Sequence, residues 1–256
     1  HPIYLAGARL RQPFFWVPQS GNIGMGVSIL SYNHEVQFGL ITDKRLVPDP
    51  ERIVETALRL FNEFGEPNVT TTGIADEMNI SPGNLYYHFR NKDEIINAIF
   101  TEFEKELGGT LGVPARRAPN VEDIWLFLHL CFELISKYRF LYRDLNDLLS
   151  RNRLLEVHFK RILEYSRKVA LQMCDGLVAA GDMRASVAER QAIATNIVVV
   201  ATYWLSYEYV CNPRKPVGDE SLARGVYQVM ALAAPFLVGD ARSLFEMLAQ
   251  KYVAAD

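Results

Sequence analysis

Apolar residues recur at helical spacing through most of the chain, and the exceptions fall near its start. Ile53, Val54, Ala57, Leu60, Phe61 and Phe64 lie three or four apart, which predicts a helix with one buried stripe. Asp49-Pro50-Glu51 supplies its start, with an acid at the cap and Pro in the first turn, and Gly65 supplies its stop. Thr70 is placed to cap a second, short helix that carries Ala75 and Met78. Asn79-Ile80 then reads as a tight turn, and Ser81-Pro82 as the cap of a third helix with Leu85 and Phe89 pointing inward. Asn91 caps a fourth, bearing Ile95, Ile96, Ile99, Phe100 and Phe103.

Gly108, Gly109, Gly112, Pro114 and Pro119 interrupt this periodicity and read as a linker. Helical patterns resume over 121–137, 141–149, 154–180, 187–210, 221–238 and 241–253. Before residue 49 the texture is different. Residues 27–32 and 35–41 are β-rich runs separated by Asn33-His34, which predicts a hairpin. A lone hairpin is marginal in water, so this one needs a surface to pack on. The expected fold is all-α: a helix-turn-helix domain over 49–108 and a helical-bundle dimerisation and ligand domain over 119–256. A short β-hairpin-like extension, residues 1–48, precedes them.

The composition narrows the function classes. With 256 residues, 49% of them apolar and 22% charged, the chain can bury a sizeable core. A formal charge of −3 neither suggests nor excludes nucleic acid, because DNA needs only a local basic face. Cys131, Cys174 and Cys211 are far apart, so neither a disulfide framework nor a zinc site is expected, and no metal or cofactor is. Buried free thiols in a reducing compartment account for them. No apolar run is long enough to span a membrane, so a soluble, cytoplasmic protein is expected. The first residue is His1 rather than Met, as in a processed or tagged product or a piece of something longer.

Two short helices joined by a tight turn form a helix-turn-helix pattern. The second, residues 82–89, would enter the major groove, leaving Asn84, Tyr86, Tyr87 and His88 outward and Gly83 to allow close backbone approach. Residues 80–92 contain Arg90 and Lys92 and no acid, whereas acids are plentiful on both sides. A surface that meets phosphate needs that gap. Residues 50–105 resemble the DNA-binding domain of the TetR family. The ordered match is Ala57, Leu60-Phe61 and Gly65, then 70–75 (TTTGIA) and 80–92 (ISPGNLYYHFRNK). The resemblance implies a non-enzymatic, sequence-specific regulator, acting as a repressor on palindromic double-stranded operator DNA. It implies phosphate contacts from Thr71, Thr72, Tyr87 and Lys92. Pro82, Gly83, Asn84, Tyr86 and His88 would lie at the groove floor or its edge.

The remaining helices fit the same family. Residues 140–149 and 154–159 resemble the subgroup that contains the polyhydroxyalkanoate-synthesis regulator of pseudomonads. That implies a small apolar or acyl-type effector, such as an acyl-CoA or fatty acid, and a link to lipid metabolism. Trp125, His129, Phe132, Asn196, Tyr203 and Trp204 are the candidate pocket residues, being aromatic or polar groups within apolar helices. Helices 189–210 and 221–237 are apolar nearly all round, and by resemblance they would build a homodimer interface. Residues 2–9, 30–33, 38–41 and 46–49 resemble the C-terminal end of wax ester synthase/diacylglycerol acyltransferases. That family uses an HHxxxDG motif, and His1, His34, His88, His129 and His158 are all isolated here. The alternative function is therefore an acyltransferase fragment or fusion, with its wax ester synthase-like activity elsewhere in a longer chain.

Overall fold

A computed structural model of the chain describes residues 4–5, 8–9, 25–32, 35–42, 49–111, 120–214 and 218–253. Near the start, β1 (Tyr4–Leu5) pairs antiparallel with β2 (Ala8–Arg9). The two longer runs pair as expected: β3 (Met25–Tyr32) lies antiparallel to β4 (Glu35–Thr42), with Ile29 opposite Phe38 and Tyr32 opposite Glu35. The Asn33-His34 turn lies outside the described residues. Alternation puts Val27, Ile29, Val36 and Phe38 on one exposed face, whereas Ser28 is buried and its hydroxyl donates to the Gly39 carbonyl at 3.3 Å.

The chain forms two compact units: residues 1–60 with 67–95, and residues 61–66 with 96–256. The division falls inside α1 (Pro50–Phe64) and α4 (Lys92–Thr110), not in the expected linker. Helix α4 runs through Gly108 and Gly109, so the helical domain begins earlier than residue 119.

In the first unit, local chemistry sets each boundary. Thr70 caps α2 (Thr71–Glu77) by accepting from the Gly73 amide at 3.0 Å. Asn79 adopts φ 54°, the left-handed setting of a tight turn that Asn tolerates. Ser81 caps α3 (Pro82–His88), accepting from the Asn84 amide at 3.2 Å, with Pro82 in the first turn. Ile53, Ala57, Ile74, Ala75, Leu85 and Ile95 are fully buried.

The second unit contains α5 (Val121–Lys137), α6 (Arg139–Arg143), α7 (Leu145–Arg151), α8 (Arg153–Ala180), α9 (Val187–Cys211), α10 (Asp219–Ala233) and α11 (Gly239–Val253). The helix expected over 141–149 is two helices, because Asp144 leaves helical geometry at φ −106° and ψ 20°. Among the described residues no strand follows residue 42; Met183 and Leu237 form an isolated bridge. Residues 61–66 are tied into this unit by polar contacts. Asn62 accepts from the Phe140 amide at 3.1 Å and donates to the Lys137 carbonyl at 2.8 Å. The buried Glu66 pairs with Arg151, which also meets Asp147 at 3.0 Å.

Gly225 sets how closely α10 packs. A Cβ there would lie 2.3 Å from Phe132 Cε1 on α5 and 2.7 Å from Trp204 Cδ1 on α9. Any larger residue would have to push the Phe132 or Trp204 ring aside.

Candidate functional site

The first unit presents α3 with its polar side outward. Leu85 is fully buried and fixes the helix, while Tyr87 is 79% exposed and Tyr86 47%. Pro82 and Gly83 are exposed and Asn84 is half-buried. His88 is half-buried; its ring meets that of Tyr87 edge-on at 5.0 Å, and its Nε2 has no hydrogen-bond partner among the described residues. A Cβ on Gly83 would meet nothing nearer than Ser81 Oγ at 3.7 Å, so the fold itself does not require glycine there.

Helix α2 stands beside this surface. Thr72 is exposed, and the hydroxyls of Thr71 and Tyr86 lie 2.9 Å apart. That pairing, invisible to either helix pattern alone, joins an expected phosphate contact to an expected base reader. Lys92 begins α4, and its Nζ donates to the Val69 carbonyl at 3.0 Å. The ammonium therefore fastens the start of α4 to the turn that precedes α2. Glu94 closes the same corner by accepting from the Arg90 amide at 2.7 Å, while Asn91 Oδ1 accepts from the Glu94 amide at 2.9 Å. The Thr71–Tyr86 and Lys92–Val69 bonds thus tie α2, α3 and the start of α4 into one corner of this unit, with Thr72 on α2 and Tyr87 on α3 left exposed. It can offer hydroxyls, an ammonium and aromatic rims to a phosphate backbone and to base edges.

The second unit contains a cavity of about 110 Å³. Its wall is almost wholly aliphatic and aromatic, and α5, α8 and α9 contribute most of it. Phe132 is the one expected pocket residue that lines it. Trp125 and His129 sit one position around α5 from the lining residues Ile124 and Leu128, half-exposed, with their rings 4.2 Å apart. Burial lowers the His129 imidazole, opposed by Glu133. Asn196 and Tyr203, expected in the pocket, are exposed on α9 and do not line the cavity. Trp204 is buried, but its indole N–H donates to the Ser221 carbonyl at 2.8 Å rather than facing the cavity. One helical position turns a side chain through about 100°, which carries Trp125 and His129 away from the cavity wall while Phe132 stays on it. The aliphatic series Ile124, Leu128, Cys131 and Ile135 marks the cavity side.

The polar groups of the wall are Tyr142, Ser166, Thr202, Cys131 and Cys174. Burial pushes the Cys131 thiol up to about 12 and that of Cys174 up to about 11. It also raises the Tyr142 phenol, helped by the nearby Cys131. These groups are neutral over the ordinary pH range. Among the described residues no cluster of His, Cys, Asp or Glu could hold a metal ion, and no helix is long and apolar enough to cross a membrane.

Comparison with known proteins agrees with this geometry. Residues 102–245 match the TetR family described as bacterial transcriptional repressors, and residues 53–99 match the amino-terminal family of tetR-type bacterial regulatory proteins. Residues 1–64 match the WS/DGAT C-terminal domain. The crystal structure of a TetR-family transcriptional regulator from Marinobacter aquaeolei VT8 is 33% identical with a TM-score of 0.74, covering 80% of this chain and 98% of that one. An HTH-type transcriptional regulator of Staphylococcus aureus is 33% identical over 70 residues, 24% of this chain and 38% of the relative. The class A tetracycline repressor protein from transposon 1721 of Escherichia coli is 36% identical over 50 residues, 20% of this chain and 23% of the relative. The chain therefore spans well under half the length of these two relatives, whereas the Marinobacter regulator is matched over nearly its whole length. A helix-turn-helix with an outward polar face, joined in sequence to a cavity-bearing helical unit and matched by both family descriptions, places the chain in the TetR family of DNA-binding transcription repressors.

Proposed function

We propose that this repressor grips a palindromic operator as a homodimer and is controlled by a small apolar or acyl-type effector, within lipid or polyhydroxyalkanoate metabolism. The observation that carries the effector reading is the apolar cavity within the helical unit. Thr71, Thr72, Tyr87 and Lys92 take phosphates, while Pro82, Gly83, Asn84, Tyr86 and His88 sit at the groove floor or its edge. An effector changes operator affinity by its differential affinity for two states of the protein, typically about 1–3 kcal/mol.

The dimer reading is supported by α9. Val199, Tyr203, Tyr207 and Val210 are exposed along it, an apolar face that a second copy would cover. Helix α10 would contribute the side next to it. The metabolic link is supported by the likeness of residues 140–159 to a storage-lipid regulator and by the match of residues 1–64 to a domain of storage-lipid enzymes.

Selection of bound duplexes from a random pool tests the reading. It should return an inverted repeat, and the enrichment should collapse when fatty acids, acyl-CoAs and their neutral alcohols and esters are added. Enrichment that survives saturation with all of them would overturn the effector assignment. An asymmetric single site would overturn the dimer assignment.

A further inference from the structure

No residue lining the cavity carries a charge. Tyr142 and Thr202 are 5% and 6% exposed, and both face this space. Neither hydroxyl, nor that of Ser166, has a hydrogen-bond partner among the described residues. The backbone carbonyl of Tyr142 accepts from Ser206 Oγ at 3.1 Å, which fixes the chain there and leaves the phenol uncommitted. Buried hydroxyls are ordinarily paired, so unpaired ones on a cavity wall are places where a guest atom gains a hydrogen bond.

The same wall is hostile to ions. A buried carboxylate needs a cation or several N–H donors, and the lining supplies neither Lys, Arg nor His. A neutral oxygen needs one hydroxyl, and the wall supplies three. The thiols of Cys131 and Cys174 add weak, neutral donors and no charge.

We infer that the cavity takes an uncharged ligand, a hydrocarbon skeleton bearing a hydrogen-bonding oxygen such as an alcohol, ketone, ester or lactone, and discriminates against the carboxylate of the same skeleton. This rests on the reading of the cavity as the effector site, and narrows it. Tyr142 and Thr202 hold the oxygen, and the aliphatic wall holds the chain.

Calorimetry of the full chain with a matched medium-chain set tests this: a fatty alcohol, its methyl ester, the fatty acid at neutral pH and the oxygen-free alkane. The alcohol and ester should bind at least about tenfold more tightly than the carboxylate, because its charge finds no partner. Thr202→Val and Tyr142→Phe should each weaken the alcohol or ester by about threefold to tenfold, the worth of one hydrogen bond. Both should leave the alkane unchanged, which separates a lost contact from a damaged fold. A carboxylate that binds as tightly as the alcohol overturns the inference, as do variants that leave alcohol affinity intact. The two readings fail separately. An alcohol that binds without altering operator affinity ends the effector reading alone. A carboxylate that binds and releases DNA ends the neutral-ligand assignment alone, and a set in which nothing binds ends both.

Discussion

The hydroxyls of Thr71 and Tyr86 lie 2.9 Å apart, so the first turn of α2 and the middle of α3 share a hydrogen bond on the surface expected to meet DNA. Removing either hydroxyl breaks the same bond. Thr71→Val, Tyr86→Phe and the double variant should therefore be non-additive in operator affinity, with a coupling of about 0.5–1.5 kcal/mol. Fluorescence anisotropy on an operator duplex reads it. Additive losses would mean that each hydroxyl acts on DNA alone.

Gly83 separates recognition from stability. A methyl group fits there without a close contact inside the protein. Gly83→Ala should hold or raise the melting temperature, since Ala is favoured in helices by about 1 kcal/mol. It should also weaken operator binding by about tenfold or more, equivalent to about 1.4 kcal/mol, if the α3 backbone lies against the groove. Unchanged affinity would place that backbone away from the DNA.

Lys92 is expected to serve DNA sequences indiscriminately. Lys92→Ala should weaken all duplexes alike and reduce the salt slope by about one. Asn84→Ala should instead cost about 1–3 kcal/mol and relax the choice at particular base pairs. Because Lys92 also donates to the Val69 carbonyl, its loss should lower the melting temperature slightly. A changed sequence preference in Lys92→Ala would reverse the assignment.

Gly225→Ala should destabilise the second unit by about 1–3 kcal/mol, the cost of forcing a methyl into packed aromatic rings. Urea unfolding at fixed protein concentration measures it. A wild-type midpoint would mean that Phe132 and Trp204 can move aside.

The thiols of the half-buried Cys131 and the buried Cys174 make alkaline stability predictable. Cys131 and Cys174 ionise at about 12 and about 11 when folded, against an ordinary value of 9.0. The unfolded chain therefore loses these protons first, and stability present below pH 9 should decline as pH rises towards 11. The slope is up to about 1.4 kcal/mol per pH unit for each thiol. Cys131→Val and Cys174→Val should flatten this decline in unfolding measured across that range.

Much of the fold was legible because caps are local chemistry. Thr70, Ser81 and Asn91 announce three helix starts, and the 121–137 pattern coincides with α5, where Asn120 and Asp123 form a reciprocal cap. The cavity was not legible in the same way. Trp125 and Ile124 are neighbours in sequence but face different ways, and only the cavity wall that α5 shares with α8 and α9 shows which side is inward. The role of Gly225 was hidden too, since it is set by Phe132 and Trp204, which lie on two other helices far away in the sequence. The Thr71–Tyr86 bond spans fifteen residues, and nothing in either helix alone foretells it.

A wall that touches its guest almost entirely through hydrocarbon compares ligands by length and girth. One methylene more or less in such a slot is worth about 1–3 kcal/mol, so neighbouring homologues differ by about 10- to 200-fold and none is shut out absolutely. A repressor built around this cavity would act as a gauge of a whole homologous series, its transcriptional output following the pooled abundance of the series weighted by fit.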